Sequence, residues 1–434
     1  MRPIREMLDA QQGRTRFHMP GHKGRLGPID PARDVTELMG TDDLFAPSGA
    51  IAGAETLLAK SCGAGASILL TGGATAGMHA MALTFLRPGD RLLLKRSAHH
   101  SALSACVLAG AEPVFAPPDA DLAAAARELH PDAVLVTRPD YFGRVEALPD
   151  VSVPVLVDAA HGAHFNWWES PPSAMRAGAT AAVESAHKTL GALTGGAWMH
   201  FRDQDIARRA RQMLRIVMSS SPSYLVLQSL DDARAWMDEF GRSALSETAE
   251  LCEQARAEIA KMPGLISKNL GDPTRLYVET RGLGLSGWSA YKRLREMGVE
   301  LELADAGGVL AIATAYDRPE DFHRLTGALR RLRGDGSAPP NLPAPACGEP
   351  CASLRAAALA RTKRVLLKDA AGEISARSVG AYPPGSAIVA PGEKFTEAAI
   401  EYLLRMEALG AQLFGAEGGS VEAADKEDAL HAPI

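Results

Sequence analysis

The sequence predicts an α/β protein built on a mostly parallel central sheet, followed by a smaller α+β domain and a small C-terminal domain. Three observations predict it. Between residues 66 and 200, short apolar runs alternate with longer amphipathic stretches, as buried strands alternate with the helices that cover them. At 434 residues the chain exceeds what one hydrophobic core usually serves, so more than one domain is expected. A Gly/Pro-rich stretch over 334–350 then marks a linker before the final segment.

In chain order, the strand-like runs are Ser67–Leu70, Arg91–Lys95, Pro113–Ala116, Ala133–Thr137, Pro154–Asp158, Ala181–Glu184 and Gly196–His200. Helical candidates lie between them at Thr75–Leu86, Ser101–Ala109 and Leu122–Leu129. Asp231 to Phe240 reads as a helix whose apolar face carries Ala233, Trp236, Met237 and Phe240. The second region has strand candidates at Arg275–Glu279 and Val309–Thr314. The expected division is an arm over 1–30, a major domain over 31–245, an α+β domain over 246–333, the linker, a C-terminal domain over 351–415, and a disordered acidic, Ala/Gly-rich tail over 416–434.

Composition removes several function classes. A net charge of -6 gives no basic surface for nucleic acid. No stretch approaches the roughly 20 apolar residues that cross a bilayer, and the first residues lack the apolar core of a signal peptide. An odd number of cysteines (Cys62, Cys106, Cys252, Cys347 and Cys351) scattered along a long chain fits reduced thiols and a cytoplasmic location. Cys347 and Cys351 lack a nearby second pair, so no metal is expected.

Three segments carry chemistry. Leu69–Met78 reads as a strand, a glycine turn and a helix start, where the N–H groups of Gly73 to Ala76 can face an anion. An ordinary βα turn would look the same. Val155–His164 ends an apolar strand on Asp158, and a buried acid there needs a cationic partner such as a pyridinium nitrogen. The alternative is a helix cap. In Val183–Gly196, Lys188 follows a strand between His187 and Thr189. A partly desolvated lysine loses its proton more readily and can form a Schiff base with an aldehyde. Ser185 and His187 can donate to a nearby phosphate. A surface lysine is the bland alternative, and the order of the three segments in a parallel sheet argues against it.

Further strings give the sequence a family likeness. They are Phe-His-Met-Pro-Gly-His-Lys-Gly (17–24), Asp-Val-Thr-Glu-Leu-Met-Gly-Thr-Asp-Asp-Leu (34–44), Ser-Ala-His-Lys-Thr-Leu-Gly-Ala-Leu-Thr (185–194) and Ser-Ser-Pro-Ser-Tyr-Leu (220–225). Ser-Leu-Asp-Asp-Ala-Arg (229–234), Tyr-Pro-Pro-Gly (382–385) and Pro-Gly-Glu (391–393) extend the pattern to the C-terminal domain. With them the chain resembles the Orn/Lys/Arg decarboxylase family over nearly its whole length. The resemblance implies an aminotransferase-like fold type I enzyme that uses pyridoxal 5'-phosphate (PLP) to decarboxylate arginine, lysine or ornithine to the amine. It implies that Lys188 forms the internal aldimine, that Asp158 pairs with the pyridine nitrogen beside His161, and that His99 stacks on the ring. Ala74, Thr75, Ser185 and His187 match phosphate-binding positions, with Ser101 a weaker match. Ser221 is expected at the phosphate of a neighbouring subunit, because such sites lie at the interface of a homodimer or higher homo-oligomer. Lys188 or a nearby histidine would return the proton to Cα after CO2 leaves.

The chain departs from the family pattern at several points. Ala74 stands where a hydroxyl residue is frequent, Ala159 where an acid is common, and His100 where lysine is usual. Ala186 and Gly191 replace Thr and Pro near Lys188, and Ser386-Ala387 replaces an aliphatic-Pro pair. Two alternatives stay open: another PLP reaction, such as an aminotransferase, aldolase or lyase, and a silent regulatory paralogue. For the distal end of a basic substrate, Asp42 and Asp43 are candidate carboxylates, with loop acids or helix caps the competing reading.

Overall fold

The computed structural model describes residues 14–18, 21–23, 25, 33–37, 41–117, 119–334, 346–382 and 385–431. Most of the expected arm, most of the linker, and Pro383 and Pro384 of the Tyr-Pro-Pro-Gly string lie outside the described residues. Strand β1 is Thr15–Phe17. The central sheet holds β2 (Ala66–Leu70), β3 (Arg91–Lys95), β4 (Glu112–Ala116), β5 (Ala133–Thr137), β6 (Val155–Asp158), β7 (Ala181–Glu184) and β8 (Ala197–Phe201). Their order is β2-β8-β7-β6-β5-β3-β4. The pairs among β3 to β7 are parallel, whereas β8 runs antiparallel to both its neighbours.

Alternation along each strand sorts side chains to two faces. Leu92 and Leu94 join one buried cluster with Met78, Met81 and Leu103 of the covering helices, Gly73–Phe85 and His100–Ala109. Leu93 points the other way, into a cluster with Val134, Val157 and Leu122. Gly77 lets its helix lie close on the sheet: a Cβ there would come within 2.7 Å of Leu70 and 2.8 Å of Val183. Both faces are therefore covered, as a parallel sheet requires.

The expected helix over 231–240 is a different object. Tyr224–Trp236 is α-helical, Met237–Gly241 is one π turn, and Arg242–Ile259 continues as α-helix. Ala233 and Met237 are buried as expected, but Phe240 is 45% exposed. The wider turn breaks the 3.6-residue spacing on which that face was drawn.

The α+β region contains β9 (Ile266–Ser267), β10 (Arg275–Glu279), β11 (Val299–Leu301), β12 (Leu303–Ala304) and β13 (Gly308–Ile312). Its sheet has the order β12-β13-β10-β9, all antiparallel, with Gly287–Glu296 and Pro319–Arg331 as helices. The N-terminal segment is stitched to this region: β1 pairs in parallel with β11, and Phe17 is fully buried against Phe322. Farther on, the Gly21 N–H donates to the His187 carbonyl at 2.7 Å, and the Thr314 hydroxyl donates to the Gly21 carbonyl at 2.8 Å.

The last region contains the helix Glu397–Ala408 and a three-stranded antiparallel sheet. Here the expectation of a disordered tail from 416 onward is wrong. Ser420–Ala424 is a strand fully paired with Thr362–Leu366, its Val421, Ala423 and Ala424 are buried, and Lys426–His431 is helical. Alanines that look featureless in sequence fill a tight interface with Ala357 and Ile374. The end of the expected linker is also structured, since Glu349–Pro350 pairs with Glu393–Lys394.

Candidate active site

The carboxyl ends of the parallel strands open on a cavity of about 350 Å³. That is where ligands bind in open α/β sheets. Its walls include Ala74, Thr75, His99, Ser101, Asp158, His161, Ser185, His187 and Lys188. Nine of the ten residues expected at the cofactor therefore meet at one place. Ser221 does not; it is exposed, on the segment before the helix Tyr224–Trp236.

Each wall follows from local structure. Asp158 is the last residue of β6, 6% exposed, and its Oδ1 accepts the Ala160 N–H at 3.1 Å. Burial raises its pKa while the charge of Lys188 opposes the rise. Lys188 sits in the short helical turn Ala186–Thr189 after β7. Burial lowers its pKa, Asp158 and Glu302 pull it back up, and Arg275 lowers it further. Its Nζ lies 3.2 Å from His161 Nε2.

The helix Gly73–Phe85 begins without a side-chain cap. Its first N–H, from Gly73, donates to the Gly195 carbonyl, so the donors left to face an anion start at Ala74 rather than at Gly73. Ser185 Oγ is buried without a hydrogen-bond partner. The His187 Nδ1 is 2.9 Å from the Gly196 carbonyl and must therefore carry a proton. In the neutral ring its Nε2 is then an acceptor, so His187 donates to an anion only once protonated.

His99 caps the helix His100–Ala109: its Nδ1 accepts the Ser101 N–H at 3.2 Å and lies 2.8 Å from Ser101 Oγ. Burial first, and then the charges of His100 and Lys188, push its pKa down to about 3, so the ring stays neutral. Ser101 is thus a partner of His99. The C-terminal region reaches this wall too. The His100 N–H donates to the Gly385 carbonyl at 3.0 Å, and Ser386 Oγ donates to the Ser97 carbonyl at 2.8 Å.

Asp42 and Asp43 are absent from the cavity walls. Asp42 accepts backbone N–H groups from Asp43, Ser48, Gly49 and Ile51, which hold its carboxyl down at about 2. Asp43 accepts from Phe45. These contacts fit the competing reading of loop acids or helix caps: Asp42 takes N–H groups at the start of the helix Ala50–Cys62, and Asp43 one within its own loop. Sequence reasoning missed Tyr141, whose ring stands 4.4 Å from that of His161 and whose hydroxyl donates to Glu302 at 2.5 Å. It missed Arg275 as well, whose Nη2 donates to the His161 carbonyl at 3.1 Å from β10. Neither carries a local signature: each is an ordinary strand or loop residue until the fold brings it in.

Models of the Orn/Lys/Arg decarboxylase major domain and C-terminal domain match residues 6–272 and 341–425. The chain belongs to the Orn/Lys/Arg decarboxylase family. It is an amino-acid decarboxylase. It is 34% identical to the arginine decarboxylase of Bacillus subtilis, over 94% of this chain and 93% of that protein. Two solved structures share its fold. The lysine decarboxylase of Francisella novicida matches with a TM-score of 0.75 at 18% identity, covering 88% of this chain and 73% of that one. Lysine decarboxylase A of Pseudomonas aeruginosa matches with a TM-score of 0.73 at 18% identity, covering 98% and 82%.

Two of this decarboxylase's departures from the family pattern have a local explanation. Gly191 leaves room for Tyr316, whose hydroxyl would lie 2.1 Å from a Cβ there. Ser386 uses its hydroxyl to tie the C-terminal region to the His99 loop.

Proposed function

We infer that this decarboxylase acts on a basic amino acid, arginine foremost, with pyridoxal phosphate held in the Lys188 cavity. The observation that carries the reading is a half-buried lysine that shares a cavity with a buried acid, the cavity being walled by an uncapped helix start. The donor set fits the cofactor. Ser185 Oγ is a buried hydroxyl without a partner, and the Ala74 and Thr75 N–H groups open the helix, so a phosphate would find donors there. Asp158 would hold the ring nitrogen, and Lys188 would attach the aldehyde. The relatives named arginine decarboxylase support arginine as the substrate.

When bound, the cofactor supplies an aldehyde that condenses with amines and a ring that takes up the electron pair left by departing CO2. The protein does the rest. Asp158, fixed by the Ala160 N–H at the end of β6, keeps a negative charge where a protonated ring nitrogen would sit. His99, neutral and clamped by Ser101, provides a flat face that orients the substrate and excludes water. Lys188, as an amine, can take up the proton that the substrate ammonium gives up and deliver it to Cα after CO2 has left. Incubating the loaded enzyme separately with arginine, lysine and ornithine, with the amine identified by mass spectrometry, tests the reading. Agmatine and CO2 from arginine are expected. Amino transfer or elimination without CO2 would overturn it.

A further inference from the structure

Behind the cavity runs a row of buried polar groups that the chemistry above does not use. Asp272 is fully buried; its Oδ1 accepts the Thr274 N–H at 2.9 Å and the Thr274 hydroxyl at 2.7 Å. Its Oδ2 lies 3.1 Å from His164 Nε2 and 3.8 Å from Arg275 Nε. Arg275, 1% exposed, crosses from the α+β region and presents Nη2 to the His161 carbonyl at 3.1 Å and to His161 Nδ1 at 3.4 Å. The other ring nitrogen, Nε2, faces Lys188 Nζ at 3.2 Å. Buried ions are expensive unless paired, so this arrangement needs a reason.

The reason lies in which atoms can donate. A guanidinium has donors only. The His161 nitrogen that it faces must therefore offer a lone pair, which leaves the single proton of a neutral ring on Nε2. That N–H points at Lys188, and the amine can answer it only with its own lone pair, as an uncharged group. The reverse arrangement, an ammonium donating to Nε2, would set an Nδ1–H against the guanidinium. The remaining groups around the ring agree. Tyr141 packs against one face, and burial first, with the guanidinium of Arg275 beside the ring, disfavours a cationic His161. Asp158 and Glu302 act on Lys188 in the opposite sense.

We propose that Arg275 is a positioning residue that fixes His161 as the neutral imidazole with its proton on Nε2, so that Lys188 is presented as a free amine. Its role for Lys188 rests on the function proposed above; the tautomer does not.

The test is nitrogen-15 NMR of the cofactor-loaded enzyme labelled at histidine, with His161→Gln to assign the signals. The expected spectrum has an unprotonated Nδ1 and a protonated Nε2 that persist down to about pH 6, below the usual histidine midpoint. In Arg275→Met, His161 should take up a second proton on mild acidification, and kcat should fall about tenfold with KM little changed. Arg275→Lys should lie between the two. A proton on Nδ1 in the wild-type enzyme overturns the proposal, as does an Arg275→Met spectrum with the same pH response. The wild-type spectrum decides even if the variants fail to fold. Failure of borohydride to label Lys188, with the tautomer as described, would instead strike the function proposed for the site.

Discussion

Replacing Asp272 by Asn probes the buried row with almost no change in shape. The Asn oxygen can keep the two contacts to Thr274, but the negative charge beside Arg275 and His164 is lost. Breaking a buried ion pair by removing one partner destabilises by about 3–5 kcal/mol, because the other charge is left uncompensated. Arg275 keeps its bonds to the His161 carbonyl and the Thr274 hydroxyl, so the lower figure applies. About 3 kcal/mol corresponds to a fall of roughly 6 °C in Tm for a large domain, at about 2 °C per kcal/mol. Thermal unfolding of the loaded enzyme, followed by near-ultraviolet circular dichroism, measures it. The pH dependence fixes the sign. Burial pushes the Asp272 carboxyl up, but His164 and Arg275 beside it, together with the hydrogen bonds from His164 and Thr274, hold it well below the usual range. Its contribution is then fully present above the ordinary carboxylate pKa and is lost only as pH falls through the lower folded value. The gap between wild type and variant should stay constant from about pH 5 upward and close below about pH 4. Equal stability at neutral pH, or a gap that widens toward acid, would refute the account of Asp272 as the counter-charge.

Other expectations concern the cavity itself. Lys188→Ala should remove both amine production and the visible absorption of the loaded enzyme, which a spectrum and an amine assay check together. Asp158→Asn keeps the Ala160 contact but not the charge; loss of a charge-assisted hydrogen bond of about 1.5–3 kcal/mol predicts turnover slowed about 10- to 100-fold. Steady-state kinetics at saturating cofactor reads this. Ser185→Ala, which removes a buried hydroxyl with no internal partner, should leave Tm of the cofactor-free protein unchanged or higher. The same change should weaken cofactor binding about tenfold, as measured by fluorescence titration.

Much of the architecture is legible in the amino-acid sequence. The runs Arg91–Lys95, Ala133–Thr137 and Ala181–Glu184 coincide with β3, β5 and β7, because a strand covered on both faces has no choice but an unbroken apolar sequence. The direction of β8 is not legible: side-chain pattern is the same whichever way a strand runs. The π turn at Met237–Gly241 escapes for a related reason, since one extra residue in a turn leaves composition untouched. In the site, Lys188, Asp158 and His161 announce themselves through strand-end positions. Arg275 does not, because its meaning is set by a ring 114 residues away in the chain. Ser221 and Asp42 are suggested by their place in a motif, and neither lines the cavity.

The bonds at Gly21 bear on how the molecule is assembled. The turn that carries Lys188 is buttressed by a segment that precedes it by more than 160 positions, itself secured by a hydroxyl at position 314. A Cβ at Gly21 would lie 2.6 Å from the Leu190 carbonyl, so the two backbones touch with no space for adjustment. Contacts so remote in sequence close large loops and form slowly compared with neighbouring strands. On a growing polypeptide the β-scaffold can therefore assemble well before its reactive amine is locked in place, which happens only after residue 314 has left the ribosome.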